Sequence, residues 1–120
     1  MTYFFDTYAL LRVHFGEPSY APFADVPIVT ERSHMFEFAR EVMKQGGAKA
    51  VLPALASLRA NRLDPTDADL LAAAKLKVRH ARLSSADAIG YVLAQREGLK
   101  LLTGDAAFRK MRDVEFVRSP

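Results

Sequence analysis

Four carboxylates stand where side chains from distant parts of the chain can act together: Asp6, Glu37, Asp87 and Asp105. Asp6 follows the aromatic, strand-like run Thr2 to Phe5, and Asp105 closes Thr103-Gly104-Asp105 just past the apolar run Leu99 to Leu102. Asp87 falls in the first turn of a helix that Ser84 or Ser85 can cap, and Glu37 in the first turns of one that Ser33 can cap. In open α/β sheets ligands bind at the carboxyl ends of the strands, and all four acids can share that edge. Clustered carboxylates repel one another unless a cation sits among them, and hard oxygen donors in an open site suit Mg²⁺ or Mn²⁺. Ions held this way bridge phosphate oxygens and lower the pKa of bound water, so the chemistry of such a cluster is phosphodiester hydrolysis.

Each acid taken alone has a simpler explanation. Ser84-x-x-Asp87 is a capping box, a helix-stabilising device that needs no chemistry. Asp6 and Asp105 fit ordinary turns after strands, and Glu37 shares a helix face with Arg40, Glu41 and Lys44 that water can cover. Only the joint pattern argues for a site.

The elements that must position these acids follow from periodicity. A helix from Tyr8 to Phe15 stops at Gly16; Glu17 to Pro27, with three prolines, reads as an irregular or partly helical connection able to move over a site. Val26 to Val29 reads as briefly extended. Met35, Phe38, Ala39, Val42 and Met43 repeat at helical spacing until Gly46-Gly47, and Lys49 to Ala60 reads as a further helix. Arg62 to Asp64 suits a short strand. The Thr66-x-x-Asp69 box opens a helix from Asp67 to about Val78, and the helix after Ser84 carries Ala88, Ile89, Val92 and Leu93 up to Gly98. Phe108 to Arg112 reads as a helical turn and Val114 to Val117 as a last strand. Helices alternating with short apolar strands predict a three-layer α/β/α domain spanning 1–120, with a central parallel sheet of four to five strands.

Composition bounds the partners. Seventeen Lys and Arg against fourteen Asp and Glu give a formal charge of +3, compatible with an anionic partner such as nucleic acid. Lys75, Lys77, Arg79, His80 and Arg82 form one basic stretch, and Arg109, Lys110 and Arg112 follow Asp105 closely, where cations could hold phosphates or simply face solvent. No cysteine is present, so disulfides and thiolate zinc sites are excluded. His14, His34 and His80 show no paired metal spacing and receive no role. Phe4, Phe5, Phe36 and Phe38 read as core. With no basic leader and no apolar run long enough to span a bilayer, the expected location is the cytoplasm, away from membranes.

Phe-Phe-Asp-Thr-Tyr at Asp6, Met-Phe-Glu-Phe at Glu37, Leu-Ser-Ser-Ala-Asp-Ala at Asp87 and Leu-Leu-Thr-Gly-Asp at Asp105 occur in an order and spacing that resembles the PIN-domain family. In length and layout the chain is similar to VapC-like ribonuclease toxins of toxin-antitoxin modules. The resemblance implies a PIN-like parallel sheet and a Mg²⁺- or Mn²⁺-dependent endoribonuclease acting on single-stranded RNA. It also implies a homodimer, and a small antitoxin that blocks the acidic cleft. Carried over by position, Asp6, Glu37, Asp87 and Asp105 would be metal ligands and water activators, and the Thr103 hydroxyl would support them. Two positions depart from the pattern: Tyr8 replaces a small hydroxyl or amide residue, and Ala107 stands where some members carry a further acid. The departure at Tyr8 keeps open an alternative, a catalytically weak PIN-like domain that binds RNA or a protein. Phosphoryl transfer through an Asp6 nucleophile would need additional acids and a well-placed lysine.

Overall fold

Phe4 and Phe5 leave the central strand on opposite faces, as successive strand residues must, and each starts one of the two cores. The computed structural model describes residues 3–120, so Thr2, expected in the first strand, lies outside the described residues. Five strands form one sheet, β1 (Tyr3–Phe5), β2 (Val29–Glu31), β3 (Asn61–Leu63), β4 (Lys100–Thr103) and β5 (Val114–Phe116). All neighbours pair in parallel, in the order β3-β2-β1-β4-β5. The connecting helices are α1 (Thr7–His14), α2 (Arg32–Gly46), α3 (Val51–Leu58), α4 (Asp67–Arg79) and α5 (Ser85–Arg96).

This order fixes where a cleft can form. From β1 the chain steps outward through β2 to β3, then crosses back to enter β4 on the other side of β1. Crossovers between parallel strands are right-handed, so reversing direction moves the later helices to the opposite face. The cores show this split: Phe5, Leu102 and Ile28 pack with residues of α1, α2 and α3, whereas Phe4, Leu101 and Val29 pack with residues of α4 and α5. The reversal point lies between β1 and β4, where such sheets open a crevice at their carboxyl edge. Phe5 pairs with Leu102 in register, which brings Asp6 level with Thr103.

Several boundaries differ from the sequence-based expectations, each for a local reason. The second strand covers Val29–Glu31 rather than Val26 to Val29, because Thr30 is drawn fully into the sheet and its hydroxyl donates to the Phe5 carbonyl at 2.8 Å. Helix α2 is capped by Glu31, not Ser33: the Glu31 carboxylate accepts the Ser33 N–H at 3.0 Å. The expected helix from Lys49 to Ala60 divides into a 3-10 turn, Ala48–Ala50, and α3, which ends at Arg59 in a left-handed conformation. The helical turn expected at Phe108 to Arg112 instead covers Ala106–Phe108, started by Asp105. Phe36 is 68% exposed, so of the four aromatic residues expected in the core it alone faces solvent.

The connection 17–27 is no loose flap. Its 3-10 segment, Pro18–Phe23, buries Tyr20, whose hydroxyl donates to the Val117 carbonyl at 2.7 Å. The chain after β5 is strapped over the same edge: Val117 N–H donates to the Thr103 carbonyl, Arg118 to the Gly104 carbonyl at 2.9 Å, and Ser119 N–H to the Tyr8 hydroxyl at 2.9 Å. Gly104 lies beneath this strap. A Cβ there would fall 2.2 Å from the Tyr8 ring and 2.5 Å from the Val117 carbonyl oxygen. Gly104→Ala should therefore destabilise the protein by about 3 kcal/mol, the upper end for overpacking, because a backbone group must shift. Urea unfolding measures this; a change below about 0.5 kcal/mol would mean that the strap yields freely.

Candidate active site

Three of the four acids are held by the starts of helices. Asp6 is the N-cap of α1, and its Oδ1 accepts the Ala9 N–H at 2.9 Å. Asp87 completes the capping box of α5: its Oδ2 accepts the Ser84 N–H at 2.9 Å and its own N–H donates to the Ser84 hydroxyl at 3.0 Å. Asp105 starts the Ala106–Phe108 turn, with Oδ1 accepting the Ala107 N–H at 2.9 Å. Amides at a helix start favour negative charge, so each of these anchors orients a carboxyl group by a bond to one of its oxygens. The simple capping function and a chemical role are therefore compatible.

The fourth acid reaches the group by another route. Glu37 lies in the second turn of α2 and accepts the Thr7 hydroxyl at 2.7 Å, a bond that ties α2 to the residue immediately after Asp6. A freely solvated Glu37 is thereby excluded. Thr103, fully buried at the end of β4, links two of the other acids: its hydroxyl accepts the Asp105 N–H at 3.0 Å and bonds the Asp6 side chain.

Electrostatics bind the aspartates into one system. Asp6 is 2% exposed, and burial pushes its pKa up to about 7 against the opposing bonds from Thr103 and Ala9. Nearby Asp87 raises it further. Asp87 is itself raised, chiefly by burial and then by the charge of Asp105. Among the described residues none of the four acids pairs with a lysine or arginine. The donor set, hard carboxylate oxygens with unbalanced charge, is of the kind that holds a divalent cation. No three Asp, Glu or His side chains among the described residues stand close enough to share an ion as they are, so binding one would draw the carboxylates inward.

The PIN domain family model matches residues 3–114. This chain belongs to the PIN domain family. Solved structures repeat the fold over almost its whole length. A toxin-antitoxin complex from Klebsiella pneumoniae is 21% identical, with a TM-score of 0.76, covering 95% of this chain and 96% of that one. VapC20 of Mycobacterium tuberculosis, a sarcin-ricin loop cleaving toxin, is 18% identical with a TM-score of 0.80, covering 97% and 99%. VapBC2 from Rickettsia felis, bound to a DNA fragment from its promoter, is 14% identical with a TM-score of 0.74 and covers both chains fully. At these identities the likeness is one of fold. A search of curated protein sequences finds no match.

Reading the sequence left two features of this PIN domain unseen. His34, given no role, is 1% exposed and bonds Glu31 through Nδ1 at 3.0 Å, and its field acts on both Asp6 and Asp87. Glu31, also buried, ends β2 beside Asp6 and takes three donors on one oxygen: the Ser33 N–H, the Ser33 hydroxyl and His34 Nδ1. Burial would raise its pKa, but the bonds from His34 and Ser33 prevail and hold it down at about 2. An acid ending a strand with a histidine three residues later was the available signal. Tyr8, the departure from the family pattern, turns away from Asp6 towards the C-terminal strap. Burial pushes its phenol up, but the Ser119 N–H and the Arg12 guanidinium, 4.2 Å above the ring, outweigh this and lower its pKa.

The raised pKa of Asp6 makes a prediction about metal-free protein. A pKa higher in the folded state, about 7 against 3.8, means that Asp6 favours folding fully only at low pH, and that this contribution is lost as pH rises through about 7. Asp6→Asn, which keeps an N-cap, should stabilise the metal-free protein by on the order of 3 kcal/mol at about pH 8, with the gain vanishing towards pH 4. Urea midpoints across that range measure it; a pH-independent difference would rule out a burial-raised carboxyl.

Proposed function

We propose that this PIN domain is a divalent-metal-dependent endoribonuclease that hydrolyses phosphodiester bonds of single-stranded RNA, acting as the toxin of a toxin-antitoxin pair. The observation that carries this reading is the group of Asp6, Asp87 and Asp105 at the point where strand order reverses, mutually repelling and without a protein cation. Mg²⁺ or Mn²⁺ bound there would polarise the scissile phosphate and lower the pKa of a water. Asp6, Asp87, Asp105 and Glu37 are the residues that would hold it. Thr103 ties the Asp6 carboxyl to the backbone of Asp105, and Thr7 orients Glu37. In the reaction the water oxygen adds to phosphorus, the phosphorus–oxygen bond to the leaving ribose breaks, and the departing oxygen gains a proton.

Two basic stretches adjoin the segments that carry Asp87 and Asp105. Arg79, His80 and Arg82 are exposed on the end of α4 and the segment leading into α5, whose first turn carries Asp87. Arg109, Lys110 and Arg112 are exposed just beyond Asp105. Arg79, His80, Lys110 and Arg112 line one surface pocket, and cations gathered there suit a phosphate chain approaching the carboxyl edge. The toxin assignment draws on the fold shared with VapC20 and with toxin-antitoxin complexes, and it carries with it a cognate antitoxin, a homodimer and an intracellular site of action. No described helix is long and apolar enough to cross a membrane.

A second reading, an RNA- or protein-binding module with little turnover, is favoured by Tyr8 and by the separation of the acids. One experiment decides between them. Purified protein incubated with single-stranded RNA and Mn²⁺ should cleave it, and Asp6→Asn or Asp87→Asn should each lower the rate roughly 10²–10³-fold while the fold is kept. Equal cleavage by both variants would dismiss the assigned site. RNA retention without cleavage in any divalent metal would establish the binding module.

A further inference from the structure

Beyond the four acids, the most unusual polar group in the protein is His34. Its ring is buried, Nδ1 is held by the ionised Glu31, and Nε2 has no hydrogen-bond partner. Since Glu31 can only accept, Nδ1 carries the proton of that bond. The ring stands edge-on to Phe4, centroids 5.3 Å apart at 80°. On its other side lies Gly90: a Cβ there would fall 2.8 Å from both Cε1 and Nε2. A helix interior disfavours glycine, so a glycine in mid-helix calls for a packing reason, and the imidazole supplies one.

The neighbours of this ring matter more than its burial. His34 precedes Glu37 by three residues on α2, and Asp87 precedes Gly90 by three on α5, so each acid is one helical turn from the contact and on the same side of its helix. Phe4 on β1 stands two residues before Asp6, which follows the strand in extended conformation, so the two fall on the same side of the chain. His34, on α2 with Glu37, therefore touches both β1, which ends one residue before Asp6, and α5, which carries Asp87.

We propose that His34, braced by Glu31 and seated on Gly90, is a positioning residue whose ring sets the separation of α2 and α5 and thereby that of Glu37 and Asp87. The proposal rests on the metal-dependent reading of the cleft. It explains why a buried imidazole with an idle nitrogen is kept beside the acids: the ring fills a gap whose width fixes how far apart the carboxylates stand. An aliphatic side chain would lose the bond to Glu31 that holds the ring in place.

The test uses the full chain with His34→Asn, Gly90→Ala and the double variant. Asparagine keeps an amide near the Nδ1 position for Glu31 but empties the space over Gly90, and the alanine methyl crowds the native ring but partly refills the space in the double variant. Mn²⁺ affinity is read from the paramagnetic resonance of free Mn²⁺. Backbone amide shifts of Glu37 and Asp87 are read without metal, and thermal melts check folding. Each single variant should move both amide signals and bind Mn²⁺ at least about 10-fold more weakly, as expected when a supporting partner is lost. The double variant should recover affinity towards the native value, a rescue that a purely structural role does not produce. Folded single variants with native amide shifts and native affinity would overturn the proposal. If the native protein binds no Mn²⁺, the metal reading fails, and the amide shifts alone decide whether His34 positions the two acids. Should Gly90→Ala fail to fold, His34→Asn decides by the same two readouts, since it removes atoms without adding any.

Discussion

The carboxyl of Asp6, shut away from water at the end of the central strand, is the constraint on which the rest of the architecture depends. Burying a charge without a partner costs several kcal/mol, and proteins avoid it by neutralising the group, pairing it or leaving it to a metal. No lysine or arginine among the described residues pairs with Asp6. Its charge is instead met by the Ala9 amide in the first turn of α1, by the Thr103 hydroxyl and by the field of His34, and it is opposed by Asp87. The remaining imbalance is what a divalent cation would relieve, and the parallel sheet imposes it by ending β1 and β4 side by side where the strand order reverses.

A single device recurs around that edge. Asp6, Glu31 and Asp105 each cap a helix or helical turn, Asp87 completes the capping box of α5, and all four accept a backbone N–H there. Capping orients a carboxylate without a cationic side chain that would compete with an ion, and the protein stabilises its helices with the same residues that build the cleft. Removing any of them should therefore disturb both properties, which is why a variant that keeps the cap, asparagine, separates charge from folding.

Much of this could be read from the chain because the informative signals are local. The Ser84-x-x-Asp87 and Thr66-x-x-Asp69 boxes depend on residues three apart, and the structure contains both in full. Buried parallel strands show as short apolar runs, so β1 and β4 were legible, to within a residue for β4, in the runs Thr2 to Phe5 and Leu99 to Leu102, and with them the placement of Asp6 and Asp105. What escaped depends on contacts between distant segments. Nothing near His34 in the sequence reveals Gly90 across the cleft, and nothing near Tyr8 reveals Ser119, 111 residues away. Glu31 was overlooked although its bonds are local: Ser33, an equally good capping residue, stands two positions later, and here Ser33 and His34 both bond to the Glu31 carboxylate instead.

The claim that these carboxylates form a cation site can be observed without knowing any RNA target. Crystals grown with millimolar Mn²⁺ and measured at the manganese absorption edge should show an anomalous peak at oxygen-bonding distance from Asp6 and at least one of Asp87, Asp105 and Glu37. Compared with the metal-free protein, the carboxylates should be drawn together. Well-ordered crystals with no peak at the carboxyl edge between β1 and β4, or with a peak only elsewhere on the surface, would contradict the account.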